Sequence, residues 1–119
     1  MTPQQLLDEA DHLLTTADPG TRACWPRACA WLIRLALEKA LDQYWTSVLP
    51  EAVLCGMRPQ LLLLSSYAGG SIAERARASW TGLSRAGHHH AYELAPTAAE
   101  LRGWLATVSQ LINDLPSPL

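Results

Sequence analysis

An arginine and three consecutive histidines stand close together in the last third of the chain. Arg85 is followed, after one alanine and one glycine, by the run His88, His89 and His90, which holds three of the four histidines of the chain. Histidine has the unperturbed pKa nearest to physiological pH, so it can give or take a proton there. Arginine is a permanent cation whose forked shape suits phosphate. Together these groups indicate chemistry on a phosphodiester.

The backbone that follows Arg85 decides which histidine can act with it. If a helix continued through this segment, His88 and His89 would lie on the face of Arg85, and His90 would be turned away. Gly87 predicts instead a left-handed helix stop. Beyond such a stop, His90 could fold back beside Arg85. The residues alone leave all three histidines open.

Simpler interpretations exist for each of these residues. Three adjacent histidines can form a polar turn, and imidazole also binds transition metals. Adjacent residues rarely complete one tetrahedral centre, however, and Glu93 is the only carboxylate close by. Arg85 could equally neutralise the dipole at the C-terminus of a helix. We therefore assign neither a metal nor a cofactor to the chain.

The composition of the chain limits its class. Its 119 residues predict a single domain, 1–119, and a hydrophobic fraction of 49% against 17% charged residues excludes a disordered chain. The net charge of −2 means that any contact with nucleic acid must come from a local patch. An odd number of cysteines (Cys24, Cys29 and Cys55) without a secretory leader predicts free thiols in the cytoplasm. The longest aliphatic run, 61–64, is too short for a membrane span, so no membrane is expected.

Hydrophobic periodicity predicts helices and no strands, and short connections predict an antiparallel bundle of four or five of them. The helices are expected at about 3–17, 26–48, 59–67, 71–86 and 98–114. Thr2 with Gln5, and Thr97 with Glu100, have the spacing of capping boxes. The pair Gly69-Gly70 predicts the break between the third and fourth helices.

The second predicted helix is apolar on nearly all sides, which is typical of a central, buried helix. It carries more apolar faces than a five-helix core can cover, so a partner surface is expected. Arg34 and Glu38 are one turn apart and can pair. Arg75 and Arg77 give a modest basic surface, more typical of a solvated helix face than of an RNA track. The five tryptophans are expected mostly in the core.

The segment from Arg85 to Tyr92 fits the pattern R-x4-H-x-Y, with His90 as its histidine. This pattern resembles the motif of HEPN domains, particularly the toxin partners of small nucleotidyltransferases. Those domains are all-α bundles of four or five helices, with the motif near the end of the third long helix. The order of elements is similar here, because a long central helix and a broken helix precede the motif and a capped helix follows it.

The resemblance implies a metal-independent ribonuclease or toxin that acts on RNA as a homodimer. Arg85 would stabilise charge on the phosphate, and His90 would be the acid or base, with His88 and His89 as alternatives. Tyr92 would match the tyrosine that a nucleotidyltransferase antitoxin modifies in some toxins. No small-molecule cofactor is implied.

Two other classes of protein remain open. The family often has asparagine after the arginine, whereas this chain has Ala86. Because of this departure from the family motif, the chain could instead be a catalytically inactive HEPN-like module that binds or regulates as a dimer. The third class is a structural helical adaptor whose histidines are incidental.

Overall fold

The computed structural model describes residues 1–16, 25–87 and 95–116, and within these ranges the chain is helical, with no β-strand. Five α-helices follow one another: α1 (Pro3–Thr16), α2 (Trp25–Val48), α3 (Met57–Ala68), α4 (Gly70–Gly87) and α5 (Ala98–Asp114). A 3-10 helix, Pro50–Leu54, links α2 to α3. The prediction of an all-α fold is therefore confirmed. No helix in the described ranges combines the length and the hydropathy needed to cross a membrane.

Both predicted capping boxes are present. The backbone N–H of Thr2 donates to Oε1 of Gln5 at 2.8 Å, and the N–H of Gln5 donates to Oγ1 of Thr2 at 3.1 Å. Thr97 and Glu100 make the same reciprocal pair at the start of α5, at 3.3 and 3.1 Å. Each box satisfies two backbone N–H groups that the first turn of a helix leaves without partners. Local chemistry thus fixes where α1 and α5 begin.

Gly69 separates α3 from α4 and turns the chain back on itself. Its φ of 97° lies in the left-handed region, where a side chain would be strained. The two helices pack along each other as an antiparallel hairpin. The predicted break is thus confirmed. The start of α3 is two residues earlier than expected, at Met57, and Pro59 sits in its first turn, where its missing N–H does no harm.

The central position predicted for α2 is confirmed, because α1, α4 and α5 all pack against it. Helices α1 and α2 run in opposite directions. Cys29 near the start of α2 reaches the carbonyl of Ala10 in α1, and Lys39, further along, reaches the carbonyl of Met1 at 2.8 Å. Large, fully buried side chains of α2 occupy the centre of the core: Ile33, Leu37, Leu41 and Trp45.

The third helix lies outside this four-helix arrangement and packs mainly on α4. At its end, the ring of Tyr67 meets Trp45 edge to face, with 5.3 Å between the ring centroids. Such a contact contributes about 0.5–1.5 kcal/mol beyond the area that it buries. The fold is therefore a four-helix bundle of α1, α2, α4 and α5 with α3 added against α4.

Trp31 is the exception among the tryptophans. Its side chain is 55% exposed on α2, whereas Trp45 is fully buried. Trp25, Trp80 and Trp104 are half-buried against the core. The expectation that the tryptophans lie mostly in the core is wrong for Trp31, because none of the five described helices covers its side chain.

The two cysteines that the structure describes are both free thiols. Cys29 is buried between α1 and α2, and this burial raises the pKa of its thiol to about 11. Cys55 is exposed after the 3-10 helix. Cys24 lies outside the described residues.

The fourth and fifth helices approach each other most closely at Gly82. A Cβ at this position would overlap the indole ring of Trp104, lying 2.7 Å from its Cη2 atom. Glycine is therefore needed here for close approach rather than for backbone freedom. The contact fixes how α5 lies against the C-terminal half of α4.

Gly82→Ala should destabilise the protein, although alanine is the better helix former. The overlap with Trp104 forces a packing shift that costs about 1–3 kcal/mol, against a gain in helix propensity of about 1 kcal/mol. Gly103→Ala is the matched control, because Gly103 lies inside α5 with open space where its Cβ would be. Urea unfolding should give a lower midpoint for Gly82→Ala and an equal or higher one for Gly103→Ala. A rise in both midpoints would contradict the close contact.

Candidate functional site

Arg85 lies in the last turn of α4, and its side chain is exposed. Helices α2 and α4 are antiparallel: Trp45, near the end of α2, meets Tyr67, which lies just before α4 begins, and Arg34, nearer the start of α2, faces Trp80 further along α4. The last turn of α4 therefore lies beside the start of α2, and Arg85 is at one end of the bundle, open to solvent. A cation in the last turn also interacts favourably with the helix dipole, which stabilises this turn.

Gly87 is not the left-handed stop that its sequence position predicts. It is the last residue of α4, and Gly69 is the one glycine with a positive φ among the described residues. The prediction of a left-handed conformation at Gly87 is therefore wrong. A stop of that kind gives no reason to favour His90 over His88 and His89.

The remaining residues of the predicted site lie outside the described residues. These are His88, His89, His90 and Tyr92. Their assignments stay predictions, and they rest on the R-x4-H-x-Y pattern. Of the predicted site residues, Arg85 alone has a described position.

The charge of Arg85 has no carboxylate partner within 1–16, 25–87 and 95–116. Four other arginines in these ranges form ion pairs: Arg34 with Glu38, Arg75 with Asp114, Arg77 with Glu74 and Arg102 with Asp11. Arg27 and Arg58 resemble Arg85 in having no such pair there. With no carboxylate of the described ranges beside it, the exposed guanidinium of Arg85 can bind a phosphate.

The predicted pair of Arg34 and Glu38 is confirmed, with 3.5 Å between Nε and Oε1. The guanidinium of Arg34 also lies over the indole of Trp80, with its Cζ 5.6 Å from the ring centroid. This is within the range of a cation–π interaction. Arg34 therefore connects α2 to α4, and it is a structural residue.

Arg75 and Arg77 play different parts. Arg75 donates to Asp114 at 2.9 Å and so links α4 to the end of α5. Hydrogen bonds from Arg75 and then Gln110 lower the pKa of the Asp114 carboxyl. Arg77 pairs with Glu74 within its own exposed turn, where such pairs contribute little. Arg75 is thus a structural residue, whereas Arg77 can leave Glu74 for another anionic group.

A groove runs along the outer side of the hairpin, between α3 and α4, and we name it the α3–α4 groove. It has a volume of about 550 Å³. Helix α3 contributes Arg58, Leu61 and Leu62, and α4 contributes Arg77, Trp80, Thr81 and Ser84. The α4 side of the groove ends one residue before Arg85. The groove therefore leads to the exposed arginine.

Arg58 was not among the residues that the sequence pattern singled out. Its neighbours in the groove are close in space but about twenty positions away in the chain. The one signal that could have found it is the break at Gly69, because a hairpin brings residues at equal distances from its turn together. Arg58 is 11 residues before Gly69, and Trp80 is 11 residues after it.

In the part of the chain that the structure describes, no three His, Cys, Asp or Glu side chains gather as a metal site. The groove and the end of α4 hold cations, hydroxyls and apolar side chains. Such a set can bind an anion and position it.

Comparison with known proteins finds no family model, no curated protein and no solved structure that matches this chain. The resemblance to HEPN domains thus rests on the motif and on the order of the helices. The chemistry of the site has to be argued from the residues themselves.

Proposed function

We propose that this chain is a HEPN-like, metal-independent endoribonuclease of the toxin type, which acts as a homodimer. The observation that carries the proposal is the exposed Arg85, which lies in the last turn of α4 and has no ion pair among the described residues. It precedes the histidine run by three residues, at one end of the bundle. A phosphate can reach a guanidinium in this position without displacing a carboxylate of the described ranges.

The proposed reaction is attack by the neighbouring ribose hydroxyl on the phosphate of RNA. A histidine accepts the proton of the 2′-OH, and the 2′-oxygen forms a bond to phosphorus. The bond from phosphorus to the 5′-oxygen breaks, and that oxygen takes a proton from a second histidine. Arg85 neutralises the charge that grows on the phosphate oxygens. The products are a 2′,3′-cyclic phosphate and a 5′-hydroxyl.

The histidine with the family spacing is His90, and in this proposal the partner subunit supplies the second one. Tyr92 is then the site that a nucleotidyltransferase antitoxin modifies. A nucleotide attached two residues from the acting histidine would block access of RNA to it. These roles depend on the R-x4-H-x-Y pattern.

The outward face of α2 supports the homodimer. Ala28 and Trp31 are exposed there, and Leu32 and Leu35 are half-buried. These four residues share one side of the helix at spacings of three and four. They occupy the half of α2 that lies nearest the end of α4. A second copy bound over this face, with the two-fold axis parallel to α2, would bring two Arg85 side chains to the same end of the dimer.

The outward face of α2 also supports a second candidate function, a catalytically inactive binding module. An exposed aromatic residue among aliphatic ones is typical of protein interfaces. Such a surface needs neither Arg85 nor a histidine. The two candidates differ in whether RNA is cut.

Arg85→Ala should abolish RNA cleavage and leave the melting temperature nearly unchanged. The side chain is exposed, so its loss removes little packing, and a lost charge stabiliser of this kind lowers the rate by about 10²–10³. Cleavage of single-stranded RNA and circular dichroism melting measure the two effects. Arg102→Ala is the control, because Arg102 is also exposed but pairs with Asp11.

The same assay tests the chemistry when it is run with matched DNA and with EDTA. RNA should be cut in both the presence and the absence of the chelator, and DNA should stay intact because it lacks the 2′-OH. End-group analysis should show the 2′,3′-cyclic phosphate. Full activity of Arg85→Ala, or cutting of DNA, would exclude the mechanism. Failure of the wild type to cut RNA would favour the binding module.

Alanine substitution of the three histidines one at a time should separate them. His90→Ala should match Arg85→Ala in its loss of rate, and His88→Ala and His89→Ala should retain most of the activity, as the R-x4-H spacing implies. Rates under single-turnover conditions give the comparison. If His88→Ala is inactive and His90→Ala remains active, the acting histidine is the one three residues after Arg85, as on a continuing helix.

Trp31→Glu should convert the dimer to a monomer without unfolding it. A buried aromatic residue at the centre of an interface is typically worth 2 kcal/mol or more, and this corresponds to dimerisation weakened about 30-fold. Sedimentation velocity at micromolar concentration measures the change. Leu54→Glu is the control, because Leu54 is 89% exposed on the 3-10 helix and is not on this face. A wild-type monomer, or an intact dimer of Trp31→Glu, would rule out the interface.

A further inference from the structure

The α3–α4 groove carries positive charge on a chain whose net charge is −2. Arg58 and Arg77 lie on its two sides, one from each helix. Arg58 has no ion pair in the described ranges. Arg77 is held only by the exposed Glu74 in its own helical turn. The groove is therefore a local cationic patch, which an acidic chain needs if it is to bind nucleic acid.

Apolar and aromatic surface lies between these two cations. Leu62 is 76% exposed beside the groove. Trp80 is half-buried in the wall, and Arg34 covers it from the side of α2. Proteins that bind single strands combine a cationic groove for the backbone with aromatic and apolar groups for the bases. A double helix, whose bases are stacked inside, would leave this apolar surface unused.

Hydroxyl groups complete the lining near Arg85. Thr81 is exposed, and the Oγ atom of Ser84 is buried without a hydrogen-bond partner among the described residues. The exposed hydroxyl of Thr81 is therefore the one that can hold a sugar–phosphate backbone.

The α4 residues of the groove form one line toward Arg85. Arg77, Thr81 and Ser84 follow one another at spacings of four and three, so they share one side of the helix. Arg85 is one turn beyond Thr81 on this side. A strand lying in the groove would thus meet Arg85 as it leaves.

We propose that the α3–α4 groove binds single-stranded RNA and leads it to Arg85, as the substrate path of the ribonuclease proposed above. Arg58 and Arg77 bind phosphates of the strand, and Leu62 and Trp80 contact bases. Arg58 and Arg77 are positioning residues, because they hold nucleotides away from the bond that breaks. The groove thus sets the affinity for substrate, and Arg85 with the histidine sets the rate.

The test measures binding apart from cleavage. A fluorescein-labelled single strand of about 12 nucleotides, fully 2′-O-methylated so that it cannot be cut, is titrated with wild-type protein, and anisotropy gives the affinity. The double variant Arg58→Ala with Arg77→Ala should bind at least about 10-fold more weakly. Each lost phosphate contact should also lower the slope of log affinity against log salt by about 0.7. Arg102→Ala, with an equally exposed arginine on α5, should bind like the wild type.

Cleavable RNA gives the second readout. The double variant should show a raised KM with kcat nearly unchanged, whereas a catalytic loss would lower kcat. Melting temperatures of all variants should agree, because Arg58 and Arg77 are exposed. A variant that melts early is replaced by Arg58→Gln with Arg77→Gln, which keeps most of each side-chain stem.

The outcomes separate the groove from the ribonuclease. If RNA binding requires Arg58 and Arg77 but no RNA is cleaved, RNA binding in the groove is supported and the ribonuclease proposal is excluded. If the wild type cleaves RNA and the double variant has the same KM, the groove is excluded as the substrate path and the ribonuclease proposal is retained. The groove is also excluded if the wild type does not bind the methylated strand, or if Arg102→Ala weakens binding as much as the double variant does.

Discussion

The burial of α2 between α1, α4 and α5 is the constraint on which the rest of the structure depends. Four large side chains of this helix, Ile33, Leu37, Leu41 and Trp45, are withdrawn completely from solvent. Each contributes about 1.5–3 kcal/mol by its burial. The alanines at 30, 36 and 40 are buried on the same helix, and these short side chains allow the surrounding helices to approach. Within the described ranges, three helices around α2 leave one of its faces uncovered, and Trp31 is exposed on that face.

The position of Arg85 follows from how α4 is held against this centre. Gly82 lets Trp104 of α5 pack directly on its backbone, and Arg75 binds Asp114 near the other end of the same pair of helices. The cation–π contact of Arg34 with Trp80 adds a link to α2. With α4 held at these points, its last turn extends to the end of the bundle, and Arg85 is exposed to solvent there. Within the described ranges no carboxylate competes with a ligand for this side chain.

The hairpin of α3 and α4 adds a second property to the same helix. One side of α4 buries Ala76 and Leu83 in the core, and another side faces α3 across the α3–α4 groove. The groove collects cations from both helices, although the chain as a whole is slightly acidic. Charge is thus separated by position rather than by composition. Arg34 and Arg75 connect helices of the bundle, whereas Arg58 and Arg77 lie in the groove and Arg85 lies at the bundle end. This distribution links the proposed chemistry at Arg85 to the proposed path of its substrate.

Local signals in the sequence determined most of the fold. The capping threonines, the break at Gly69 and the apolar periodicity predict the helices and their order, because each depends on residues within one or two turns. Arg85 was likewise identified from its spacing to the histidines. Contacts between helices were decided by the tertiary structure. Packing left Trp31 exposed, paired Arg75 with Asp114 and placed Arg58 and Trp80 in one groove. A period of 3.6 residues states which side of a helix is apolar, but it does not state which helix covers that side or which distant charge lies opposite.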